Sequence, residues 1–396
     1  MARKKRESRP AVSLVIPVRG SDRMLQQTID RANTAAINKV EIIVAANDYT
    51  GAAPIGNNVR VINVDKPGTG HARHAGVLSA RAPVVVTIDA HVRLCDMWDD
   101  YIKAVFERTA WRKSIACGHV GALKSDFTPA GPCKYHGAKI HWLEIKDTGE
   151  ARPLAARWHD NKSERKIGAV MGAFYAFRRQ WYSEIGEPWG VLDSWGLDEE
   201  LISLASWMSG GDCKMLPAHI EAWHMFGRPD QISYSVTEAE EIRNNRFKLL
   251  RLFPFPAAAV AEIERRFPRD MLAAQLTTDR QLSFVMRFAG CAPMMQEYCE
   301  RWIEPEKVAI VKREAFETTP AAEVTVVAAT NKPVVLRPPQ RLQERPTDVC
   351  DRCDAVGSFV CYSTERSVRR YRCKNCGRKA WRPRTGGRMR FAPYND

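Results

Sequence analysis

The chain has no apolar run near the roughly 20 uninterrupted residues that a membrane-crossing helix needs. Its basic start, Ala2-Arg3-Lys4-Lys5-Arg6-Glu7-Ser8-Arg9, leads into no apolar signal core, only a short β-branched stretch ending at Pro17-Val18. Neither a secretory leader nor an anchor is therefore expected, and a cytoplasmic protein with no membrane partner follows. A disulfide framework is also missing. Of the 11 cysteines, Cys95, Cys117, Cys133, Cys213, Cys291 and Cys299 stand singly, without framework spacing, and read as free buried thiols. There is no internal repeat. Acidic residues fall short of basic ones, 46 against 60, leaving a net charge of +14. From Asp348 onward twelve Lys/Arg face five Asp/Glu, so half of the excess sits in about an eighth of the chain. A localised basic excess points to a polyanionic partner such as nucleic acid, against the plainer alternative of a solvated tail.

What remains is a chain of 396 residues with ordinary globular composition, long enough for more than one domain. Residues 12–18 and 40–46 read as buried parallel strands, with a helix over 23–36 between them. Further strands are expected at 59–64, 84–88, 114–120 and 169–177, and helices at 71–80 and 198–209. Alternating strands and helices with short connections predict an α/β sheet with crossover helices. From about residue 231 the pattern turns helical, with Met and Phe positions that read as core. Residues 313–346, rich in Thr, Ala and Pro, read as a linker, although 324–328 also suits an edge strand. The expected organisation is a basic tail (1–10), an α/β domain (11–230), a helical extension (231–312), that linker, and a small C-terminal module (347–396).

Asp89-Ala90-His91 closes the apolar run Val84–Ile88. A carboxylate and an imidazole two residues apart on a strand share one face, at the carboxyl end where α/β sheets hold ligands. Together they suit a divalent cation such as Mn²⁺ or Mg²⁺, and the cation suits a diphosphate. The bland reading is a turn-capping Asp beside a surface His. Three further segments weigh against it: Gly70-His71-Ala72-Arg73-His74-Ala75-Gly76, Gly172-Ala173-Phe174-Tyr175-Ala176-Phe177, and Leu192-Asp193-Ser194-Trp195-Gly196-Leu197-Asp198-Glu199-Glu200.

Taken in order with Val12–Arg19, these segments resemble a GT-A-fold (Rossmann-like) glycosyltransferase over roughly residues 12–230. Within that class the resemblance is to the polypeptide N-acetylgalactosaminyltransferase type, which uses Asp-x-His where most relatives use Asp-x-Asp. The resemblance implies a nucleoside-diphosphate sugar donor, with uracil as the default base. It implies Asp89 and His91 as two cation ligands, and as third a His downstream of the Trp-Gly segment. The aromatic surroundings of His224 favour it over His219. Pro17, Val18 and Arg19 would cradle base and ribose, Asp48 would lie near the base, and Arg73 would face the nucleotide. Gly70, Ile88 and Gly172 belong to the same donor site, with Trp195 and Gly196 shaping its wall. Asp198 falls at the sugar and acceptor side, with Glu199 the next candidate: a general base in inverting relatives, a sugar-orienting group in the retaining type. Where relatives carry paired acids after the second strand, this chain has Ala46-Asn47-Asp48.

Cys350-x-x-Cys353 and Cys373-x-x-Cys376 form two matched knuckles whose four thiolates suit one tetrahedral Zn²⁺, a zinc ribbon. Around the second knuckle Arg and Lys interleave with Tyr371 and Trp381, a composition suited to phosphates and stacked bases, although zinc ribbons also dock proteins. The leading expectation is a metal-dependent glycosyltransferase that modifies a hydroxymethylated pyrimidine in DNA, a bacteriophage strategy exercised in the host cytoplasm. A transferase acting on protein or polysaccharide and a non-catalytic nucleic-acid-binding protein are the rivals.

Overall fold

The computed structural model describes residues 9–145, 150–158, 166–192, 194–226 and 240–304, and, as backbone only, 236–239, 307–308, 359–364, 368–373, 379–383 and 390–391. The linker expected at 313–346 lies outside these residues, as do Asp193, Cys350, Cys353 and Cys376. Contacts divide the chain into two units, Met1–Ile145 with Ala151–Val308, and Lys146–Glu150 with Ala309–Asp396.

The first unit opens as β1 (Val12–Gly20), α1 (Leu25–Ala35), β2 (Val40–Tyr49), β3 (Val59–Asn63), α2 (Thr69–Ser79), β4 (Val84–Ile88), β5 (Val92–Leu94) and α3 (Trp98–Glu107). It continues through β6 (Ser114–Cys117), β7 (His119–Ala122), β8 (Ala138–Ile145), β9 (Ala151–Trp158), β10 (Lys166–Ile167), β11 (Phe174–Arg178), α4 (Arg179–Glu184), α5 (Asp198–Met208), β12 (Asp212–Met215) and β13 (Glu221–His224). Eight strands form one sheet in the order β10-β12-β6-β11-β4-β1-β2-β3. Strands β4, β1, β2 and β3 are parallel, as the largely apolar runs of β1, β2 and β4 predict; β3, at the edge, is partly exposed. Side chains of β1 and β2 alternate between two cores: Val15 and Ile43 face one, and Leu14, Ile16, Ile42 and Val44 the other. Helices α1 and α3 cover the second core through Leu25, Ile29, Trp98, Ile102 and Phe106.

Strand β1 pairs with β2 on one side and β4 on the other, and the chain leaves β1 toward β2 before crossing back to β4. A crevice opens at such a reversal, beyond the carboxyl ends of the strands. Pairing of β1 with β4 ends at Val15, and Pro17, with no N–H for a ladder, falls beyond it.

Two expected strands are corrected. The stretch 114–120 is two strands in different sheets: β6 joins the large sheet, while β7 pairs with β13, which also pairs with β5. Gly118 makes the crossing, where a β-carbon would lie 2.1 Å from the Phe174 ring. The strand expected at 169–177 begins only at Phe174 and runs antiparallel to β4 and β6.

Helices α6 (Val236–Leu252), α7 (Ala257–Arg266), α8 (Pro268–Ala273), α9 (Asp279–Phe288) and α10 (Ala292–Trp302) follow. Phe247, Phe253, Phe284, Phe288 and Met295 are buried in the same core as Val15 and α5. These helices therefore complete one face of the sheet. Short strands β14 (Ile303–Glu304) and β15 (Lys307–Val308) then pair with β8. Among the described residues, no helix is long and apolar enough to cross a membrane. In the second unit β16 (Phe359–Thr364), β17 (Val368–Cys373), β18 (Lys379–Pro383) and β19 (Arg390–Phe391) form an antiparallel sheet in that order.

Candidate active site

Asp89, Ala90 and His91 form a turn between β4 and β5, so the two ligand candidates meet through that turn and not by alternation along a strand. The turn is held on three sides. The Asp89 N–H donates to Ala173 O, and the Met225 N–H donates to His91 O. From α1 the buried Thr28 hydroxyl donates to Ala90 O at 3.0 Å and accepts from the Val92 N–H at 3.2 Å.

Strand β13 brings in the third side chain, with His224 opposite Val92 in the small sheet. Asp89, His91 and His224 each offer a ligand atom, and these atoms lie within 4.8 Å of one another, a set able to hold a metal ion. His219 is elsewhere, edge-on to Tyr101 at 4.6 Å. The His91 Nδ1 lies 2.8 Å from an Asp22 carboxylate oxygen, and a carboxylate on a ring nitrogen is how metal-binding imidazoles are usually oriented.

One buried guanidinium ties this cluster to the opposite side of the crevice. Arg73, on α2 and only 4 % exposed, donates to Asp89 at 2.9 Å and to Asp198 at 2.6 Å. Its charged group lies over the rings of Tyr175 and Trp189, 5.1 and 5.8 Å from their centres. Tyr175 donates its hydroxyl to Glu199 at 2.6 Å, and the Trp189 indole donates to the Asp198 carbonyl at 2.9 Å. Sequence reasoning assigned no role to Asp22, Tyr175 or Trp189. Tyr175 lies inside a motif already singled out, whereas Asp22 stands in none; its carboxylate also accepts the Met24 N–H in the turn before α1.

Close packing accounts for two of the glycines. A β-carbon on Gly70 would sit 2.9 Å from Asp198 Oδ1, and one on Gly172 would sit 2.8 Å from Glu199 Oε1. Ile88 is fully buried in β4, while Trp195 is 43 % exposed in the turn before α5. Gly196 there adopts φ +96°, favoured for glycine alone.

At the ends of β1 and β2, Arg19 pairs with Asp48 at 3.5 Å, and Asp48 is 68 % exposed. Val18 is buried beside them. Asn47 turns inward instead. Its carbonyl accepts the Gly68 N–H, and its amide donates to Val64 O and Lys66 O. This residue therefore fixes the loop that starts α2, and Asp48 is left facing an open depression lined also by Tyr49, Asn63 and Asp65.

Charge is distributed unevenly over the site. Partial withdrawal from water opposes ionisation of Asp89, but the His224 hydrogen bond and the Arg73 charge outweigh it and hold Asp89 well below the usual carboxylate range. Asp198 goes the other way. Burial pushes it up, against the pull of Arg73, and the neighbouring Glu199 and Asp89 add to the rise, to about 7. One guanidinium serving several carboxylates leaves excess negative charge, which favours a retained proton.

Burial pushes Glu200 up to about 8, with Glu199 adding to it, although Glu200 accepts the Ala156 N–H at 3.0 Å. Its proton is held more tightly in the folded than in the unfolded chain. Stability should therefore be highest below pH 4.5 for this group and decline as pH rises toward about 8. Glu200→Gln should remove that decline, with a higher urea midpoint than the parent at pH 8.5 and little difference at pH 5. A parent midpoint that does not fall relative to the variant over that range would refute a protonated Glu200.

No family model matches the chain. Among curated proteins, mouse polypeptide N-acetylgalactosaminyltransferase 10 is 24 % identical over 232 residues, covering 53 % of this chain and 37 % of that protein. Human polypeptide N-acetylgalactosaminyltransferase 13 is 20 % identical over 204 residues, 49 % of this chain and 35 % of the relative. The chain thus spans about a third of the length of the curated relatives it matches. A crystal structure of GalNAc-T7 with UDP, GalNAc and Mn²⁺ superposes with a TM-score of 0.54 at 15 % identity, covering 75 % of this chain and 57 % of that one. This is a GT-A glycosyltransferase fold. In this fold the reversal point of the sheet, the Asp89–His91 turn and α5 surround one crevice, and Arg73 links its two sides.

Proposed function

We propose that the GT-A domain is a metal-dependent glycosyltransferase that takes a sugar from a UDP-linked donor and places it on a hydroxyl. The observation that carries this reading is the Asp89, His91 and His224 cluster joined through Arg73 to Asp198. Mn²⁺ or Mg²⁺ held by those three side chains would supply Lewis-acid stabilisation of the departing diphosphate. The solved relative that holds UDP and Mn²⁺ supports the same pairing.

In the transfer, the bond from the anomeric carbon to the diphosphate oxygen breaks and its electron pair leaves with UDP. The acceptor oxygen bonds to that carbon and gives up its proton. Arg73 keeps Asp89 ionised and fixed in direction. Across Arg73, Asp198 lies at the sugar and acceptor side, as the proton-accepting or sugar-orienting carboxylate. Tyr175 fixes Glu199 beside it. Arg19 and Asp48, with Pro17 and Val18, form the base and ribose end.

For the acceptor we propose a hydroxymethylated pyrimidine in DNA, the phage-type modification, supported by the +14 charge and its concentration after Asp348. The spacing of Cys350, Cys353, Cys373 and Cys376 supports a bound Zn²⁺ in that region.

The test is UDP release from UDP-sugars in Mn²⁺, with plain DNA, hydroxymethylpyrimidine DNA and a peptide mixture offered in parallel. Sugar incorporated into the hydroxymethylated DNA alone is expected. Incorporation into peptide would replace the acceptor assignment, and no donor cleavage with DNA still bound would reduce the chain to a binding protein. Removing residues 346–396 should leave donor hydrolysis within about twofold of the parent while transfer to DNA falls at least tenfold, the separation expected when docking and chemistry lie on different modules. Equal losses in both assays would refute that division.

A further inference from the structure

The four strands of the second unit carry six Lys/Arg and no Asp or Glu. Their pairing sorts these residues. Arg370 is opposite Trp381, and Trp381 is opposite Arg390 on the next strand. Arg372 is opposite Lys379. Directly opposed residues share a face of an antiparallel sheet, as do residues two apart on one strand. Arg370, Arg372, Lys379, Trp381 and Arg390 therefore fall on one face, with Ser363 opposite Arg370, Val360 opposite Arg372 and Val368 opposite Pro383. The other face takes Phe359, Cys361, Tyr371, Cys373, Ala380 and Phe391, together with Arg369 opposite Arg382.

We infer that the face carrying the positions of Arg370, Arg372, Lys379, Trp381 and Arg390 binds a single-stranded or locally unpaired nucleic acid. Two physical arguments support this occupant. Like charges directly opposite one another destabilise a sheet, and each face has such a pair, Arg372 opposite Lys379 here and Arg369 opposite Arg382 on the other, with no acid on the four strands; the repulsion calls for a polyanion, and the aromatic position selects the face. A polyanion removes that repulsion and releases its own counterions in doing so. The second argument is the placement of the aromatic residue. An indole with an arginine position on each neighbouring strand gives a base a surface to stack on and gives the phosphates on either side a cation. A duplex keeps its bases stacked inside and has no use for the indole. Phe359, Tyr371, Ala380, Phe391 and both strand cysteines gather on the opposite face, while this one carries four of the six cations beside Trp381, Val360, Val368 and Pro383. The inference rests on the reading of DNA as acceptor, but binding to an unmodified strand requires no sugar transfer, so the two fail separately.

Two variants of equal charge separate this face from bulk electrostatics. In the full-length chain, R370A/R390A and R369A/R382A each remove two arginines, from opposite faces. Binding is read as fluorescence anisotropy of a labelled oligothymidylate over a range of salt concentrations. R370A/R390A should weaken binding about tenfold or more near physiological salt and flatten the slope of log affinity against log salt by about 1.4. R369A/R382A should change affinity by less than about threefold, less than one stacked base contributes. R370K/R390K should recover most of the loss, and Trp381→Phe should bind better than Trp381→Ala. Unprompted UDP-sugar hydrolysis should be unchanged in all of these. Equal losses in the two arginine pairs would overturn the inference. So would duplex bound more tightly than single strand, or no binding by the parent chain. Face-specific binding with no sugar delivered to hydroxymethylated DNA would leave the face standing and remove the acceptor assignment.

Discussion

Arg73→Met is expected to destabilise the GT-A domain by about 3–5 kcal/mol, the usual cost of removing one partner from a buried ion pair, and to abolish donor turnover. The reason is the number of carboxylates that one guanidinium serves. Asp89 and Asp198 both lie within 2.9 Å of it, and Glu199 is held nearby by Tyr175. Without Arg73 these carboxylates lose the counter-charge they share. The loss is one of charge more than of volume, since methionine refills much of the space between Tyr175 and Trp189. R73M/D198N should therefore recover part of the stability without recovering activity, which a urea titration and a UDP-release assay would show together. A single variant within about 1 kcal/mol of the parent, the range of exposed pairs, would mean that Arg73 holds no such pair.

The second large effect is expected from Asp89→Ala. Donor turnover should fall about 10³-fold or more, the scale associated with losing a main electrostatic stabiliser of a transition state. Mn²⁺ binding, read by the cation's own paramagnetic signal, should be lost in parallel. Stability should change much less than in Arg73→Met, because Arg73 keeps Asp198. Asp89→Asn tests the charge with the shape retained and should bind the cation more weakly, as ligating carboxylates act as anions. Wild-type turnover in either variant would refute the cation site. His219→Ala is the matched control and should bind Mn²⁺ like the parent, since that ring packs on Tyr101 away from the cluster.

These expectations draw on two kinds of information. The strands β1, β2 and β4 were legible as largely apolar, β-branched runs because a strand buried on both faces is apolar at nearly every position, the buried Ser13 and Glu41 being hydrogen-bonded to each other. The same holds for α1 and α5, with their helical spacing, and for the apolar positions of the extension. The motif residues Asp89, Arg73 and Asp198 were legible too, each because it stands in a short, ordered segment. Their order along the chain grouped them as candidates for one site, and the fold joins them through Arg73. The strands of the small sheet were not legible in this way. Strands of three or four residues such as β5, β7 and β13 carry no usable period, and the run 114–120 looked continuous although Gly118 divides it between two sheets.

Local sequence, then, specified the long central strands and helices and which residues carry charge or a ligand atom, since propensity and periodicity act over a few neighbours. The partners were settled by folding. Arg73 reaches Asp198 across 125 positions of chain, Asn47 turns inward to hold the loop before α2, and His224 comes beside Asp89 because β13 pairs with β5. Such choices depend on contacts between segments distant in the chain, made in a core where a buried charge must find a counter-charge, and no local pattern encodes which one it finds.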